Sequence, residues 1–395
     1  MPKRATGRYE RTTVGGEEVA AFIPLALPPV APPIALDSGL NDRLRAAEQA
    51  LVRLELAGEM VPSLDWFIYA FVRKEAVLSS QIEGTQATLV DLLTFEASES
   101  AERSETPNAD VEEICNYLDA LSYSRAQLAD PRGLPLSMRL LSETHRRLMQ
   151  GVRGAEKLPG EVRRSQNWIG GSRPGNAAYV PPPPHALPEV LGAFENYLHS
   201  TEDTLPALIR AGLLHVQFET IHPYLDGNGR IGRLLVTLLL EHWQLLTKPL
   251  LYLSLFFKRH KDEYYRRLNA VRVDGDWEAW LDFFLDGVAT IADEAVTSAR
   301  ELFGLVANDR SKVLAHDNMS VVAIRLFELL PRHPVLTVAT VMKLVDTTKP
   351  TAGRAIELLT SAGVLLETTG KKRDRSYVYQ HYLDRLKVGT ELARP

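Results

Sequence analysis

The sequence predicts a mainly helical protein, with an all-α core that carries a small β-hairpin and a smaller domain at the C-terminus. Apolar residues recur at intervals of three and four through most of the 395 residues, as amphipathic helices require. After residue 307 this pattern changes to short helical stretches followed by two alternating strands. At roughly 150 residues per domain the length allows two or three domains, and we expect three.

The composition is that of an ordinary globular protein. Hydrophobic residues make up 45% and charged residues 24%, and the formal net charge is -5. No global charge therefore points to nucleic acid or to a membrane surface. The single Cys115 fits a reducing compartment. Residues 19–36 form the most apolar early stretch, but five prolines exclude a spanning helix or a signal-peptide core. We expect a cytoplasmic protein without a membrane partner.

The first predicted domain, residues 1–108, begins with an extended arm. The prolines of residues 19–36 disfavour helix for themselves and for their predecessors. We expect this arm to pack on the body of the protein, with recruitment of an SH3 domain as the alternative. Residues 41–83 have the apolar spacing of two helices. Residues 96–110 are acidic and are predicted to be a solvated connector.

The second predicted domain, residues 109–306, is helical with one interruption. Helices are expected over residues 111–128, 137–149, 187–198, 206–220, 229–246, 261–268, 277–285 and 290–306. The interruption is rich in Gly and Pro, and in it the segments WIGGS and AAYV flank SRPGN. The turn residues of SRPGN predict a hairpin over residues 168–180.

The third predicted domain, residues 307–395, has the element order of a winged helix-turn-helix. Three helices are expected, over residues 321–330, 338–344 and 351–361, followed by the strands VLLET and SYVYQ. The turn between these strands is basic and contains Lys371, Lys372, Arg373 and Arg375. Such a turn favours DNA binding. The third helix, however, offers only Arg354 and a few hydroxyls to read base edges, so we favour protein contact or a homodimer, with DNA binding as the alternative.

The polar segment HPYLDGNGRIGR, residues 222–233, has the spacing of a phosphate cradle. A helix that begins near Asn228 presents free N–H groups and the positive end of its dipole. Gly227 and Gly229 allow positive φ and a close approach of the main chain to a phosphate. The turn before this helix is therefore predicted to bind an anion.

Four side chains of this segment supply further chemistry. Arg230 and Arg233 are three residues apart on one helix face and can hold the outer phosphates of a nucleotide. Asp226 is a hard oxygen ligand suited to a Mg²⁺ that bridges those phosphates. His222 has an ordinary pKa that lets it accept a proton from an attacking hydroxyl near neutral pH. Each feature alone is common on protein surfaces, but their combination predicts a phosphoryl or nucleotidyl transfer site.

This segment resembles the motif of the Fic family, and the surroundings from about residue 110 to 290 resemble the all-α Fic core. The resemblance implies a protein adenylyltransferase that moves AMP from ATP, with Mg²⁺, to a Tyr, Ser or Thr hydroxyl of a target protein. His222 would be the general base and Asp226 the metal ligand. The implied nucleotide-binding residues are Gly227, Asn228, Gly229, Arg230, Gly232 and Arg233. Asn228 and its neighbouring amides would hold the α-phosphate.

Small departures and residue choices within the motif refine this expectation. Tyr224 stands where the family usually has Phe, which keeps an aromatic anchor. The Doc branch, which resembles a kinase in activity, typically carries Ala and Lys at the positions of Gly227 and Gly229. AMP transfer is therefore favoured over phosphate transfer. A de-AMPylase, or a DNA-binding regulator with a Fic core, remains the alternative, and self-modification is expected as a by-product.

The upstream segment VLSSQIEGTQ is similar to the inhibitory helix of one Fic class, with Ser79 and Glu83 as its motif residues and Gly84 as a helix stop. A bidentate pair between Glu83 and Arg233 would occupy the fork that the γ-phosphate needs. The resemblance therefore implies that the protein is autoinhibited.

Two further segments resemble parts of the family's substrate site. The hairpin over residues 168–180 is similar to the flap that pairs with an extended target segment, and its pairing residues would be Ile169, Gly170 and Gly171. Tyr264 and Tyr265 stand where relatives use adjacent tyrosines near the adenine. The alternative for these tyrosines is one ring in the core and one at the surface.

Overall fold

The computed structural model of the chain describes residues 4–60, 64–99, 108–370 and 375–392. These residues form 15 α-helices and five β-strands, and the strands make two small antiparallel sheets. The mainly helical fold class is therefore confirmed. None of the helices in this described part is long and apolar enough to cross a membrane. The chain divides into two compact units, Met1–Val52 with Asn116–Ala292 and Arg53–Cys115 with Asp293–Pro395.

Most helices lie close to the positions that apolar periodicity predicts, whereas those over residues 89–99, 254–259 and 380–386 were not predicted. In chain order they are α1 Ser38–Met60, α2 Leu64–Ile82, α3 Leu89–Glu99, α4 Ala109–Ala129, α5 Met138–Leu148, α6 Leu187–Leu198, α7 Ala207–Ile221, α8 Asn228–His242, α9 Ser254–Arg259, α10 Lys261–Asp274, α11 Trp277–Leu314, α12 Val321–Leu329, α13 Val338–Leu344, α14 Lys349–Ser361 and α15 Gln380–Leu386. Residues 96–99 belong to α3, so the prediction of a connector there is wrong, and residues 100–107 lie outside the described part.

Helix α11 is one continuous helix where two were predicted, over residues 277–285 and 290–306. Gly287 lies in the interval that was interpreted as a break. A Cβ added at Gly287 would lie 2.7 Å from Cδ1 of Phe256 in α9. This glycine therefore allows close packing between two helices and does not end either of them.

The N-terminus of the first unit is a β-hairpin that the sequence prediction missed. Strand β1, Gly7–Val14, pairs antiparallel with β2, Glu17–Pro24. Gly15 and Gly16 form the two-residue turn, with φ of 59° and 85°, which matches the twist of a hairpin. Gly-Gly between two extended runs was the available signal. Phe22 is buried, whereas Leu25 is 54% exposed.

Helices α7 and α8 form the centre of the first unit. Thirteen of the 15 residues of α7 and 12 of the 15 residues of α8 are buried, and the two helices pack against each other. A helix that is buried on nearly all sides must be surrounded by other elements. Trp280 of α11, for example, donates a hydrogen bond of 2.9 Å to the carbonyl of Gly212 in α7. The loop between α7 and α8 therefore has a rigid support.

The C-terminal part of the second unit alternates helices and short strands. Strands β3 Val335–Thr337, β4 Leu366–Glu367 and β5 Ser376–Val378 form an antiparallel sheet in the order β3-β5-β4. The predicted helices correspond to α12, α13 and α14, whereas β3 and α15 were not predicted. The predicted strands are shorter than expected. Lys371, Lys372 and Arg373 of the basic turn lie outside the described residues.

Candidate active site

Residues 222–233 form a short loop and the start of a helix. His222 ends α7 with φ of 50° and ψ of 61°, and its N–H donates to the carbonyl of Phe218 at 2.9 Å. This left-handed conformation costs a non-glycine residue about 1 kcal/mol or more, and such strain is concentrated at functional sites. Gly227, with φ of 74°, precedes α8. Gly229 lies in the first turn of α8, so the expectation of positive φ is wrong for Gly229.

The side chain of Asn228 closes the loop. Its Oδ1 accepts a hydrogen bond from the N–H of Tyr224, and its Nδ2 donates to the carbonyl of Tyr224, both at 2.8 Å. Asn228 is buried, so water does not compete for these bonds. The sequence resemblance places Asn228 at the α-phosphate. In the structure its side chain holds the loop, which leaves its main-chain N–H, at the start of α8, as the group suited to an anion.

His145 of α5 supports the same loop from beneath. Its ring stacks on Tyr224, with centroids 3.9 Å apart and planes 6° from parallel. The N–H of Gly160 donates to Nδ1 at 2.8 Å, so Nε2 carries the proton and donates to the carbonyl of Asp226 at 3.0 Å. Burial lowers the pKa of His145 to about 4, although the bond to Asp226 opposes this. The ring is therefore neutral at neutral pH.

Arg163 fixes the other end of the loop. Its Nε donates to the carbonyl of His222 at 3.0 Å, Nη1 to that of Ser165 at 3.2 Å and Nη2 to that of Pro182 at 2.5 Å. Burial lowers the pKa of Arg163 to about 10. Sequence reasoning missed both His145 and Arg163, because a lone basic residue in a helix or loop has no distinguishing pattern.

Asp226 lies half-buried at the accessible side of the loop. Its Oδ1 accepts from the N–H of Gly227 at 2.7 Å, and its Oδ2 pairs with Nζ of Lys157 at 2.8 Å. Burial raises the pKa of this carboxyl, but the Lys157 bond, the Gly227 amide and the charge of Arg230 outweigh burial, and the pKa lies below its ordinary value. The carboxyl of Asp226 is therefore ionised at neutral pH.

The two arginines of the motif lie in the first turns of α8 and are buried. Nη2 of Arg230 lies 3.4 Å from Sδ of Met149. Gly232, between the arginines, has no room for a side chain, because an added Cβ would collide with the carboxylate of Glu219. The helix start thus combines two guanidinium groups with the positive end of its dipole.

The predicted hairpin over residues 168–180 is present as one antiparallel bridge between Ile169 and Tyr179. Gly170 and Gly171 follow with φ of 67° and 74° and are exposed. At the base of the hairpin, Nδ2 of Asn167 donates to the carbonyl of Leu225 in the motif loop at 3.3 Å. The exposed arm of the hairpin therefore begins beside the motif loop.

The two tyrosines differ in exposure. Tyr264 is buried, and its hydroxyl hydrogen-bonds to Nε2 of His215 at 2.8 Å. Its ring stacks on Phe257, with centroids 4.5 Å apart. Tyr265 is 42% exposed. Of this pair, Tyr265 has the ring surface that a nucleotide base could contact.

The residues of the segment that resembles an inhibitory helix belong to the second unit. Ser79 is buried within α2, and Glu83 follows the end of that helix. Gly84 has φ of 100°, which confirms its expected role as a helix stop.

Among the residues that the structure describes, no group of three or more His, Cys, Asp or Glu could hold a metal ion. Within residues 222–233 the single carboxylate is that of Asp226.

Comparison with known proteins assigns the family of this site. Residues 41–126 match the model of the Fic/DOC family N-terminal region, and residues 135–240 match that of the Fic/DOC family. The fold and site define a helical protein with a glycine-containing loop between two buried helices. Residues 135–240 therefore match a Fic/DOC family domain, and residues 41–126 match the N-terminal region of that family.

Relatives with known names are similar over part of the chain. The protein adenylyltransferase Fic of Culex quinquefasciatus is 30% identical over 191 residues, which is 48% of this chain and 35% of the relative. That of Drosophila grimshawi is 32% identical over 168 residues, 42% of this chain and 31% of the relative. The match thus spans about a third of the length of these relatives.

Solved structures show the same fold. A Fic family protein from Desulfovibrio desulfuricans G20 aligns with a TM-score of 0.56 at 19% identity, over 88% of this chain and 98% of that protein. Fic-1 from C. elegans aligns with a TM-score of 0.50 at 20% identity, over 67% of this chain and 73% of that chain. At this identity the likeness concerns the fold alone.

Proposed function

We propose that this protein is an adenylyltransferase that moves AMP from ATP to a Tyr, Ser or Thr hydroxyl of a target protein and releases pyrophosphate. The observation that carries the proposal is the loop of residues 222–227, held at the start of α8, in which His222 and Asp226 are both partly exposed. The adenylyltransferase names of the relatives support the same reaction.

In the proposed reaction, His222 takes the proton of the target hydroxyl as its oxygen attacks the α-phosphorus of ATP. A new P–O bond to the target forms, and the bond from the α-phosphorus to the bridging oxygen breaks, so pyrophosphate leaves. Main-chain N–H groups at the start of α8 stabilise charge on the α-phosphoryl oxygens. Arg230 and Arg233 hold the outer phosphates and stabilise the charge that develops on the leaving group.

Asp226 fits a Mg²⁺ ion. Its carboxylate is ionised and partly exposed, and it already pairs with one cationic group, the ammonium of Lys157. Mg²⁺ usually binds through one or two carboxylates together with substrate phosphates, so a single aspartate is sufficient. When bound, Mg²⁺ would neutralise negative charge on the phosphates that leave.

The transfer reaction is tested by incubating the protein with MgCl₂ and ATP and measuring intact mass and labelling from ATP labelled at the α-phosphate. We expect incorporation of AMP into protein, which His222→Ala abolishes. Labelling that persists in His222→Ala at the wild-type rate would refute the role of His222. Release of AMP from a pre-labelled protein, without incorporation, would instead favour the de-AMPylase.

We also propose that Glu83 inhibits the resting protein. Glu83 stands directly before the left-handed Gly84, at the end of α2, as the inhibitory motif requires. A carboxylate bound to the fork of Arg233 would compete with the γ-phosphate for the same donors. Glu83→Gly should therefore raise AMP incorporation, and Glu83→Gln should raise it without altering the flexibility of the helix end. Equal or lower incorporation in both variants would refute inhibition.

The C-terminal part of the second unit is proposed to be a winged helix-turn-helix domain. The order α12, β3, α13, α14, β4, β5, with an antiparallel three-stranded sheet, supports this interpretation. The two candidate partners are DNA and a second copy of the chain. A DNA mobility shift that weakens with salt would favour DNA, whereas a dimer in sedimentation velocity without such a shift would favour self-association.

A further inference from the structure

The N-terminal hairpin of β1 and β2 lies directly against the second arm of the flap, residues 177–180. The N–H of Phe22 donates to the carbonyl of Val180 at 2.9 Å. Tyr179, which precedes Val180 in this arm, pairs with Ile169 on the side away from β2. Successive residues of an extended segment face alternate sides in this way. The chain segments therefore lie side by side in the order Ile169, residues 179–180, β2 and β1.

Side chains join the same two hairpins. Val19 and Ala21 of β2 form a buried apolar cluster with Val180, and Val14 and Ala177 pack against this cluster. This cluster removes from water one face of β2 and one face of the second flap arm. The hydrophobic effect stabilises the pairing of the two hairpins here, and it requires no particular orientation of the buried groups.

The tip of the flap contacts the N-terminal hairpin through charge. Nη1 of Arg173 lies 2.6 Å from Oε2 of Glu17. A Cβ added at Gly175 would collide with the Glu17 carboxylate, so the flap turn at Pro174–Asn176 fits closely around this residue. The contact between the two hairpins thus extends from the middle of the flap to its tip.

Both ends of the N-terminal hairpin are attached to the helical core. Oγ1 of Thr6 donates to the carbonyl of Arg272 in α10 at 2.7 Å. Nε2 of Gln217 in α7 donates to the carbonyl of Leu25 at 2.8 Å. The hairpin therefore connects a rigid part of the protein to an arm whose own pairing is a single bridge.

We infer that the N-terminal hairpin is a brace that holds the flap in position, so that Glu17 and Arg173 are positioning residues for the target segment. The inference rests on the proposed function of the flap, whose exposed arm at Ile169–Gly171 pairs with the target. Because the brace is on the far side of the flap from this arm, it would control the order of the target-binding edge without contacting target or nucleotide.

The brace is tested by hydrogen exchange of the full chain without nucleotide, followed at the amides of Ile169 and Ala178, which donate within the flap bridge. Glu17→Arg or Arg173→Glu places like charges together. We expect each variant to accelerate exchange at both amides by about threefold or more. Replacing an exposed ion pair by two like charges shifts the equilibrium between closed and open flap by about this factor. The double variant, which exchanges the two charges, should restore slow exchange.

Glu18→Arg is the matched control. Glu18 is the next residue of β2, but its side chain is exposed and lies 3.9 Å from Arg11, away from the flap. Flap exchange should stay at the wild-type rate in this variant. Unchanged exchange in both single variants, or no recovery in the double variant, would overturn the brace. If the variants show the expected exchange pattern but the protein transfers no AMP, the proposed function is overturned and the brace stands.

Discussion

Replacement of Asn228 by Ala should release the motif loop. The side chain satisfies both the N–H and the carbonyl of Tyr224, which is fully buried. Ala would leave two buried main-chain groups without these partners, at about 1–3 kcal/mol each, so local opening should become easier by about 2–6 kcal/mol. Since 1.4 kcal/mol is about a tenfold change in an equilibrium, exchange of the Tyr224 amide should accelerate roughly thirtyfold or more.

The assay is native-state hydrogen exchange of the peptide that covers residues 222–226. Asn116→Ala is the matched control, because Nδ2 of Asn116 donates to a single carbonyl, that of Gln150, at an exposed position. This variant should leave exchange in the motif loop unchanged. If Asn228→Ala exchanges the Tyr224 amide within about threefold of the wild-type rate, the loop is held by its other contacts and the reasoning is refuted.

Two further predictions concern stability. Gly287→Ala should lower the melting temperature, because the added Cβ at 2.7 Å from Phe256 overpacks the helix contact at a cost of about 1–3 kcal/mol. Gly304→Ala in the same helix is the control and should not lower the melting temperature, because its added Cβ meets nothing within 4 Å. Equal melting temperatures of the two variants would contradict this reasoning. Burial lowers the pKa of His215 to about 4, so its contribution of about 3 kcal/mol is present above pH 6.5 and is lost as the pH falls towards 4. The midpoint of denaturation should change less between pH 7 and pH 4.5 in His215→Gln than in the wild type. An equal change in both proteins would show that His215 is not the cause of the pH dependence.

Much of the helical architecture could be predicted because its signals are local. The spacing of apolar residues placed α6 at residues 187–198 and α13 at residues 338–344, as observed. The sequence of the motif also predicted a turn that enters a helix, and in the structure Gly227 stands directly before α8. Local signals failed at Gly287, where the same residue type serves packing and not a break.

The supports of the site could not be predicted because they are distant in the chain. His145 lies 81 residues before Asp226, and Arg163 lies 59 residues before His222. A single histidine or arginine has no periodicity, and its partners are main-chain carbonyls, which every residue carries. Their roles follow from the folding of α5 and of the loop after it against α7 and α8.

The amino-acid order of residues 222–233 determines which groups are present at the site: an imidazole, a carboxylate, two guanidinium groups and a glycine-permitted helix start. Tertiary contacts determine which side chains around the site face outward and which segments lie beside it. Asn228 turns inward to close the loop, Tyr264 packs in the core, and the N-terminal hairpin lies against the flap. The physical reason is that residue chemistry is local, whereas burial and hydrogen-bond partners depend on segments that meet only when the chain is folded.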